Sequence, residues 1–123
     1  DFISVNIALA PATRMLLDAR ALARIKHGAV LVNTARGGII DELALCEALR
    51  SGRLFAAGID VFEREPLAPD SELLTLPNVV LTPHIGSATR RAREQMARMA
   101  VANTVAGLQG RELPHCANPG VYG

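Results

Sequence analysis

The chain has 123 residues, half of them hydrophobic, and a formal net charge of +1. This length allows a single hydrophobic core, and the near-neutral charge gives no bias toward nucleic acid or membrane surfaces. Three phenylalanines and one tyrosine leave no stacking platform for single-stranded nucleic acid. The longest apolar runs are far shorter than the roughly 18 residues of a membrane span. Cys46 and Cys116 lack CxxC and metal-ligand spacing, so we expect unpaired thiols in a reduced, cytoplasmic protein without a metal site.

The N-terminal half of the sequence predicts two strands, each followed by a helix. Residues 2–7 form the first strand, and Asp18 caps a helix that ends near Lys26. The uninterrupted apolar run 29–33 is typical of a strand covered on both faces of a parallel sheet. After a loop with two glycines, Asp41 caps a second helix, which ends at Ser51 and Gly52.

The C-terminal half predicts two more strands separated by a long loop. Residues 54–60 form a strand that ends on Asp60. Residues 61–78 form a loop rich in proline and glutamate, with one helical turn near residues 72–74. Loops of this length are uncommon in compact domains unless they serve a site. Residues 79–81 form the last strand, which is followed by Pro83 and His84.

Residues 88–110 predict a final helix with Ser87 as its N-cap. We expect Ala92, Met96, Met99 and Ala100 to form a buried stripe on it. The arginines of its N-terminal half have two interpretations, a solvated face or a phosphate-binding site. Residues 111–123 are expected to form an irregular tail.

The order of these elements is β-α-β-α-β-loop-β-α, which predicts an α/β fold with parallel strands and right-handed crossovers. Parallel strands end at the same edge of a sheet, and ligands of such sheets bind just beyond those carboxyl ends. Four groups of residues should therefore lie along one edge. They are Asn6 with Ile7, Thr34-Ala35-Arg36, Asp60 and His84.

Each side chain at this edge has a functional and a structural interpretation. Arg36 suits two parallel hydrogen bonds to a carboxylate, or an ion pair with a loop acid. Asp60 is either a turn acid or an acceptor for a ligand amide or hydroxyl. Glu63 or Glu65 could reach the His84 imidazole and favour its protonated form. A guanidinium beside a carboxylate–histidine pair suits proton transfer at a 2-keto or 2-hydroxy acid.

Three motifs follow one another along the chain. They are Asn-Thr-Ala-Arg-Gly-Gly at 33–38 with Asp-Glu at 41–42, Asp-Val-Phe at 60–62 with Glu-Pro at 65–66, and Pro-His-Ile-Gly-Ser at 83–87. In this order and spacing the chain resembles the D-isomer-specific 2-hydroxyacid dehydrogenases. This family includes hydroxypyruvate and glyoxylate reductases and phosphoglycerate dehydrogenases. The resemblance covers nearly the whole chain.

The resemblance implies an oxidoreductase that uses NAD or NADP and transfers a hydride between nicotinamide and a D-2-hydroxy acid or 2-keto acid. It implies that Arg36 binds the substrate, that His84 is the general acid and base, and that Glu65 rather than Glu63 pairs with the histidine. The implied cofactor contacts are Ile7, Thr34, Ala35, Arg36, Asp60 at the nicotinamide carboxamide, His84, Gly86 and Ser87. A small 2-keto or 2-hydroxy acid is the implied partner, with no nucleic acid and no membrane, in a full-length homodimer.

The resemblance also implies that the chain forms only the second half of a Rossmann-like, doubly wound parallel sheet. Residues 1–110 correspond to the C-terminal half of a dinucleotide-binding domain, and 111–123 to the family's C-terminal tail. The sequence contains no G-x-G-x-x-G turn for a pyrophosphate, so we expect the N-terminal half and the substrate domain to be absent. We therefore expect a fragment that is inactive alone. The alternatives are an NAD(H)-sensing, co-repressor-like binding protein and a truncated relic.

Overall fold

A computed structural model describes residues 1 to 123, which divide into two compact units, Asp1–Ile85 and Gly86–Gly123. The first unit contains one sheet of four parallel strands in the order β1-β2-β3-β4. The strands are β1 (Phe2–Val5), β2 (Ala29–Asn33), β3 (Leu54–Ile59) and β4 (Val79–Leu81). The predicted α/β class with parallel strands is confirmed, and all four strands end at one carboxyl edge.

Aspartate caps begin both helices of the first unit, as the sequence predicted. Helix α1 (Ala19–Arg24) starts at Asp18, whose side chain accepts a hydrogen bond from the Ala21 amide at 2.8 Å. Helix α2 (Glu42–Arg50) starts in the same way at Asp41. A 3₁₀ turn at Glu72–Thr75 interrupts the long loop before β4, where one helical turn was predicted.

The core of the first unit lies between one face of the sheet and the two helices. It is built mainly of aliphatic side chains from both layers, and the fully buried ones include Leu22, Leu31, Leu45 and Leu54. The opposite face is less covered, because Val30 and Val32 of β2 are only half-buried. Within this chain residues 29–33 are therefore fully covered on one face only, since neither α1 nor α2 packs over the second face.

The second unit consists of one long helix and the tail that follows it. Helix α3 spans Arg90–Leu108, and a 3₁₀ turn at Pro119–Tyr122 adds local order to the tail. The N-cap is Thr89, whose hydroxyl accepts from the Ala92 amide at 3.2 Å, so the prediction of Ser87 is wrong. Ser87 lies instead in a turn with Gly86. Ser87 and Thr89 both have the hydroxyl that a cap requires. Because Ser87 is part of the turn, the helix begins only at Arg90, three residues later.

The predicted buried stripe on α3 is also wrong. Met96 and Met99 are 50% and 37% exposed, and Ala106 is the one fully buried residue of the helix. An apolar stripe is buried only where another surface covers it, and within this unit the helix meets only the short tail. The arginines of the N-terminal half are exposed, as expected of a solvated face. Among them, Arg90 pairs with Glu94 at 2.9 Å.

The boundary between the units falls inside the segment 1–110. The assignment of that segment to half of a dinucleotide-binding domain stays a prediction. Cys46 is buried and Cys116 partly so, and both thiols are free. None of the helices has the length and apolar character needed to cross a membrane.

Candidate active site

His84 and Glu65 form a direct hydrogen bond at the carboxyl edge of the sheet. His84 Nδ1 lies 2.7 Å from Glu65 Oε2, and the two side chains are 44% and 35% exposed. The second carboxylate oxygen, Oε1, accepts from the Phe62 amide at 3.1 Å. The hydrogen bond with His84 holds the pKa of Glu65 below its usual value, and the Phe62 amide and the Arg36 charge lower it further. Glu65 is thus a fixed carboxylate that orients the imidazole.

Asp60 holds the backbone that carries His84. Its buried carboxylate accepts hydrogen bonds at Oδ1 from the Thr82 hydroxyl and from the Ile85 amide, the latter at 2.9 Å. His84 itself has a left-handed backbone with a φ of 53°, an unfavourable conformation for a residue with a Cβ. Hydrogen bonds on both sides of His84 stabilise this conformation. The implied contact of Asp60 with a nicotinamide carboxamide stays a prediction.

Arg36 lies on the turn that follows β2. Its Nη1 donates to the Ala35 carbonyl oxygen at 2.7 Å, and no acid lies within ion-pair distance of its guanidinium. The alternative interpretation of Arg36, an ion pair with a loop acid, therefore finds no support in the contacts. Its charge is the smallest of the causes that lower the pKa of Glu65.

Gly37 allows the loops after β2 and β3 to touch. A Cβ at this position would lie 1.7 Å from the Phe62 carbonyl oxygen, far inside van der Waals contact. The same loop after β3 is held by Glu63, whose side chain pairs with Arg14 at 2.7 Å and whose amide donates to Glu42. Glu63 is therefore a loop anchor, and Glu65 is the partner of the histidine.

Two clefts open along this edge. The first, of about 510 Å³, is lined by the loops after β3 and β4 and includes Glu65, Leu67 and His84. The second, of about 670 Å³, contains four residues predicted to contact a cofactor, namely Ile7, Thr34, Ala35 and Arg36. The structure thus groups these four residues together and groups Glu65 with His84. Gly86 and Ser87 belong to the second unit, and their cofactor contacts stay predictions.

Three residues that hold this edge were not among the sequence-predicted site residues: Asn33, Thr82 and Arg14. Asn33 carried a usable signal, since a polar residue ends an otherwise apolar strand. The other two contact partners that are 22 and 49 residues away in sequence, which no local pattern reveals. The structure has no cluster of three or more His, Cys, Asp or Glu side chains that could hold a metal ion.

Comparison with known proteins identifies the family. The family model for the D-isomer specific 2-hydroxyacid dehydrogenase, NAD binding domain, matches residues 1–86. The chain belongs to the D-isomer-specific 2-hydroxyacid dehydrogenases. The resemblance seen in the sequence motifs is confirmed, and the matched residues correspond to the NAD binding domain of that family.

Relatives of this chain include named reductases and solved structures. Glyoxylate/hydroxypyruvate reductase B of Enterobacter agglomerans is 50% identical over 121 residues, covering 98% of this chain and 38% of the reductase. A solved protein of Thermus thermophilus has a TM-score of 0.88 at 53% identity, covering 94% of this chain and 37% of that one. A family member from Xanthobacter autotrophicus Py2, solved with NADPH and MES, has a TM-score of 0.75 at 38% identity, covering 98% and 49%. The chain therefore spans well under half the length of the reductase it matches.

Proposed function

We propose that this chain supplies the acid–base residues and the nicotinamide side of an NAD(P)-dependent enzyme that interconverts 2-keto acids and D-2-hydroxy acids. The observation that carries the proposal is the 2.7 Å contact between His84 Nδ1 and Glu65 Oε2, at the carboxyl edge of the sheet where the Arg36 turn also lies. The named relatives suggest glyoxylate or hydroxypyruvate as the substrate.

His84 moves the proton in this proposal. Its Nδ1 is held by Glu65, so Nε2 is the nitrogen that is left to face the substrate oxygen. In the reduction, Nε2–H donates its proton to the oxygen at C2 as that carbonyl becomes an alcohol. The Glu65 carboxylate keeps the ring in one orientation.

Arg36 binds the substrate carboxylate. A guanidinium has five N–H donors in a planar fork, and only Nη1 is engaged, with the Ala35 carbonyl. The remaining donors can hold a carboxylate in two parallel hydrogen bonds. The carboxylate does not change in the reaction, so this grip is the same in the ground state and in the transition state.

We propose that the cleft formed by Ile7, Thr34, Ala35 and Arg36 holds part of the dinucleotide. It lies beyond the carboxyl ends of β1 and β2, where such sheets bind ligands, and its volume of about 670 Å³ is large enough for a nucleotide-sized group. When bound, the nicotinamide supplies or accepts the hydride. The residues of this chain then position the group, and Ile7 gives it an apolar contact.

The test uses a hybrid enzyme in which this chain replaces the aligned segment of the Enterobacter agglomerans reductase. We expect the hybrid to reduce hydroxypyruvate or glyoxylate with NADH or NADPH. His84→Gln should lower kcat by about 100-fold or more, since general acid–base catalysis contributes about 10²–10⁴-fold. NADH affinity should change little.

His27→Gln is the matched control, because His27 is exposed and lies before β2, at the opposite end of the sheet. It should leave kcat unchanged. A His84→Gln hybrid that turns over as fast as the unsubstituted hybrid contradicts the acid–base role. A hybrid that is folded by circular dichroism yet reduces neither keto acid contradicts the proposed function as a whole.

A further inference from the structure

We propose that Asn33 is a positioning residue that fixes the turn bearing Arg36 and so sets the affinity for the substrate carboxylate. This inference rests on the proposed function. Asn33 is the last residue of β2, and its side chain points into the protein, with the residue only 2% exposed. It touches neither of the two clefts of the carboxyl edge.

The Asn33 amide group closes the turn with two hydrogen bonds. Its Oδ1 accepts from the Ala35 amide at 3.0 Å, and its Nδ2 donates to the Arg36 carbonyl oxygen at 3.0 Å. The main-chain oxygen of Asn33 also accepts from the Asp60 amide at 3.0 Å, which ties the start of the turn to the next strand. The backbone of Arg36 is therefore held at its own carbonyl group.

Asparagine is the residue type that this arrangement requires. A carboxylate of the same shape can accept from the Ala35 amide, but it has no donor for the Arg36 oxygen. A leucine of similar volume has neither group. Because the site is buried, an unmatched oxygen there is costly, and the turn is expected to move rather than keep it.

The effect of such a movement falls first on Arg36. Glu65 is oriented by the Phe62 amide, and the His84 loop by Asp60, and the Asn33 side chain makes no hydrogen bond to either residue pair. A misplaced guanidinium weakens substrate binding, whereas the proton-transfer pair keeps its geometry. The proposal therefore predicts a rise in KM with a much smaller change in kcat.

The test is Asn33→Asp in the hybrid enzyme, with KM and kcat measured for hydroxypyruvate. We expect KM to rise about tenfold or more, the consequence of losing a buried hydrogen bond that positions the binding group. The matched control is Asn78→Asp. The half-buried Asn78 donates from Nδ2 to the Leu49 and Phe55 carbonyl oxygens at 3.1 and 3.2 Å, at the amino end of β4. The control should lower stability and leave KM unchanged.

A double-substitution experiment separates positioning from a general structural role. Arg36→Lys alone should raise KM sharply, because a point charge replaces a two-pronged contact. If Asn33 acts through Arg36, then Asn33→Asp should add little to KM once Arg36→Lys is present. Two independent effects on KM would instead multiply and would overturn the inference.

The outcomes distinguish this inference from the proposed function. If Arg36→Lys raises KM and Asn33→Asp does not, the inference fails and the proposed function stands. If neither substitution changes KM, the carboxylate-binding role of Arg36 fails. Asn33→Ser is the second variant should Asn33→Asp not fold, and the same rise in KM is expected. Loss of the fold in both, with Asn78→Asp folded, assigns Asn33 a purely structural role.

Discussion

Glu63 and Glu65 are two residues apart on one loop and have different partners. Glu65 binds the His84 imidazole, and Glu63 binds the Arg14 guanidinium, each at 2.7 Å. Composition and position along the chain did not separate these two acids, since either could reach the histidine. The family resemblance selected Glu65, and the contact with His84 agrees with that choice.

The carboxyl of Glu65 gives a prediction about pH. We expect its titration midpoint, followed by carbon NMR of the side-chain carboxyl, to lie below the ordinary value of 4.5. The midpoint should rise in His84→Gln, because the His84 hydrogen bond is the largest cause of the lowering. Since the pKa is lowered by folding, this contact stabilises the fold above pH 4.5, and its contribution is lost as the pH falls through the lowered pKa.

Glu63→Gln is the control for this titration. Glu63 is engaged with Arg14 and has no contact with His84, so its removal should leave the Glu65 midpoint where it is. A Glu65 midpoint at 4.5 that does not respond to His84→Gln would show that the histidine and the acid are not paired in solution.

At the scale of elements, the carboxyl edge depends on how closely its loops approach one another. The loop after β2 contains Gly37, and the loop after β3 passes directly over it at Phe62. The chain needs glycine there for space and not for an unusual backbone angle. This close approach places the Arg36 turn beside the segment that carries Glu65.

Gly37→Ala should therefore be strongly destabilising. The added methyl group would overlap the Phe62 carbonyl oxygen, so the loop after β3 must move, at a cost of about 1–3 kcal/mol or more. Gly58→Ala is the control, because a Cβ there meets only the Val32 side chain, at 3.8 Å, an ordinary contact. Urea denaturation of the chain measures both, and equal stabilities of the two variants would contradict the packing described.

Most elements could be predicted because their signals are local. Aspartates before apolar runs gave the starts of α1 and α2, and the apolar runs gave the strands. The errors concern α3, where the Met96 and Met99 stripe is exposed and Thr89 is the cap. Periodicity identifies an apolar stripe, but it does not show that a covering surface exists.

The candidate site was predictable only in part, for a different reason. Residues at strand ends can be read from the chain, because parallel strands end at one edge. The contacts that fix them are long-range pairs such as Thr82 with Asp60, and pairing of this kind depends on the three-dimensional register of the sheet.

At the scale of the whole molecule, the chain presents much apolar surface to solvent. Phe2 on the edge strand β1 is 82% exposed, and Leu108 at the end of α3 is 84% exposed. The chain also spans only 38% of the length of the reductase it resembles, and its 123 residues include no glycine-rich pyrophosphate turn.

We therefore expect the isolated chain to bind NADH more weakly than the micromolar range and to show no steady reduction of hydroxypyruvate. NADH fluorescence titration and a turnover assay measure these two properties, with the hybrid enzyme as the positive control. Micromolar binding together with turnover by residues 1–123 alone would show that these residues suffice for the reaction.

The exposure of His84 has a consequence for experiments on the isolated chain. An imidazole that is 44% accessible meets bulk water directly on the face not held by Glu65. Within these 123 residues the ring can exchange its proton with buffer directly, without a chain of internal donors leading to the surface.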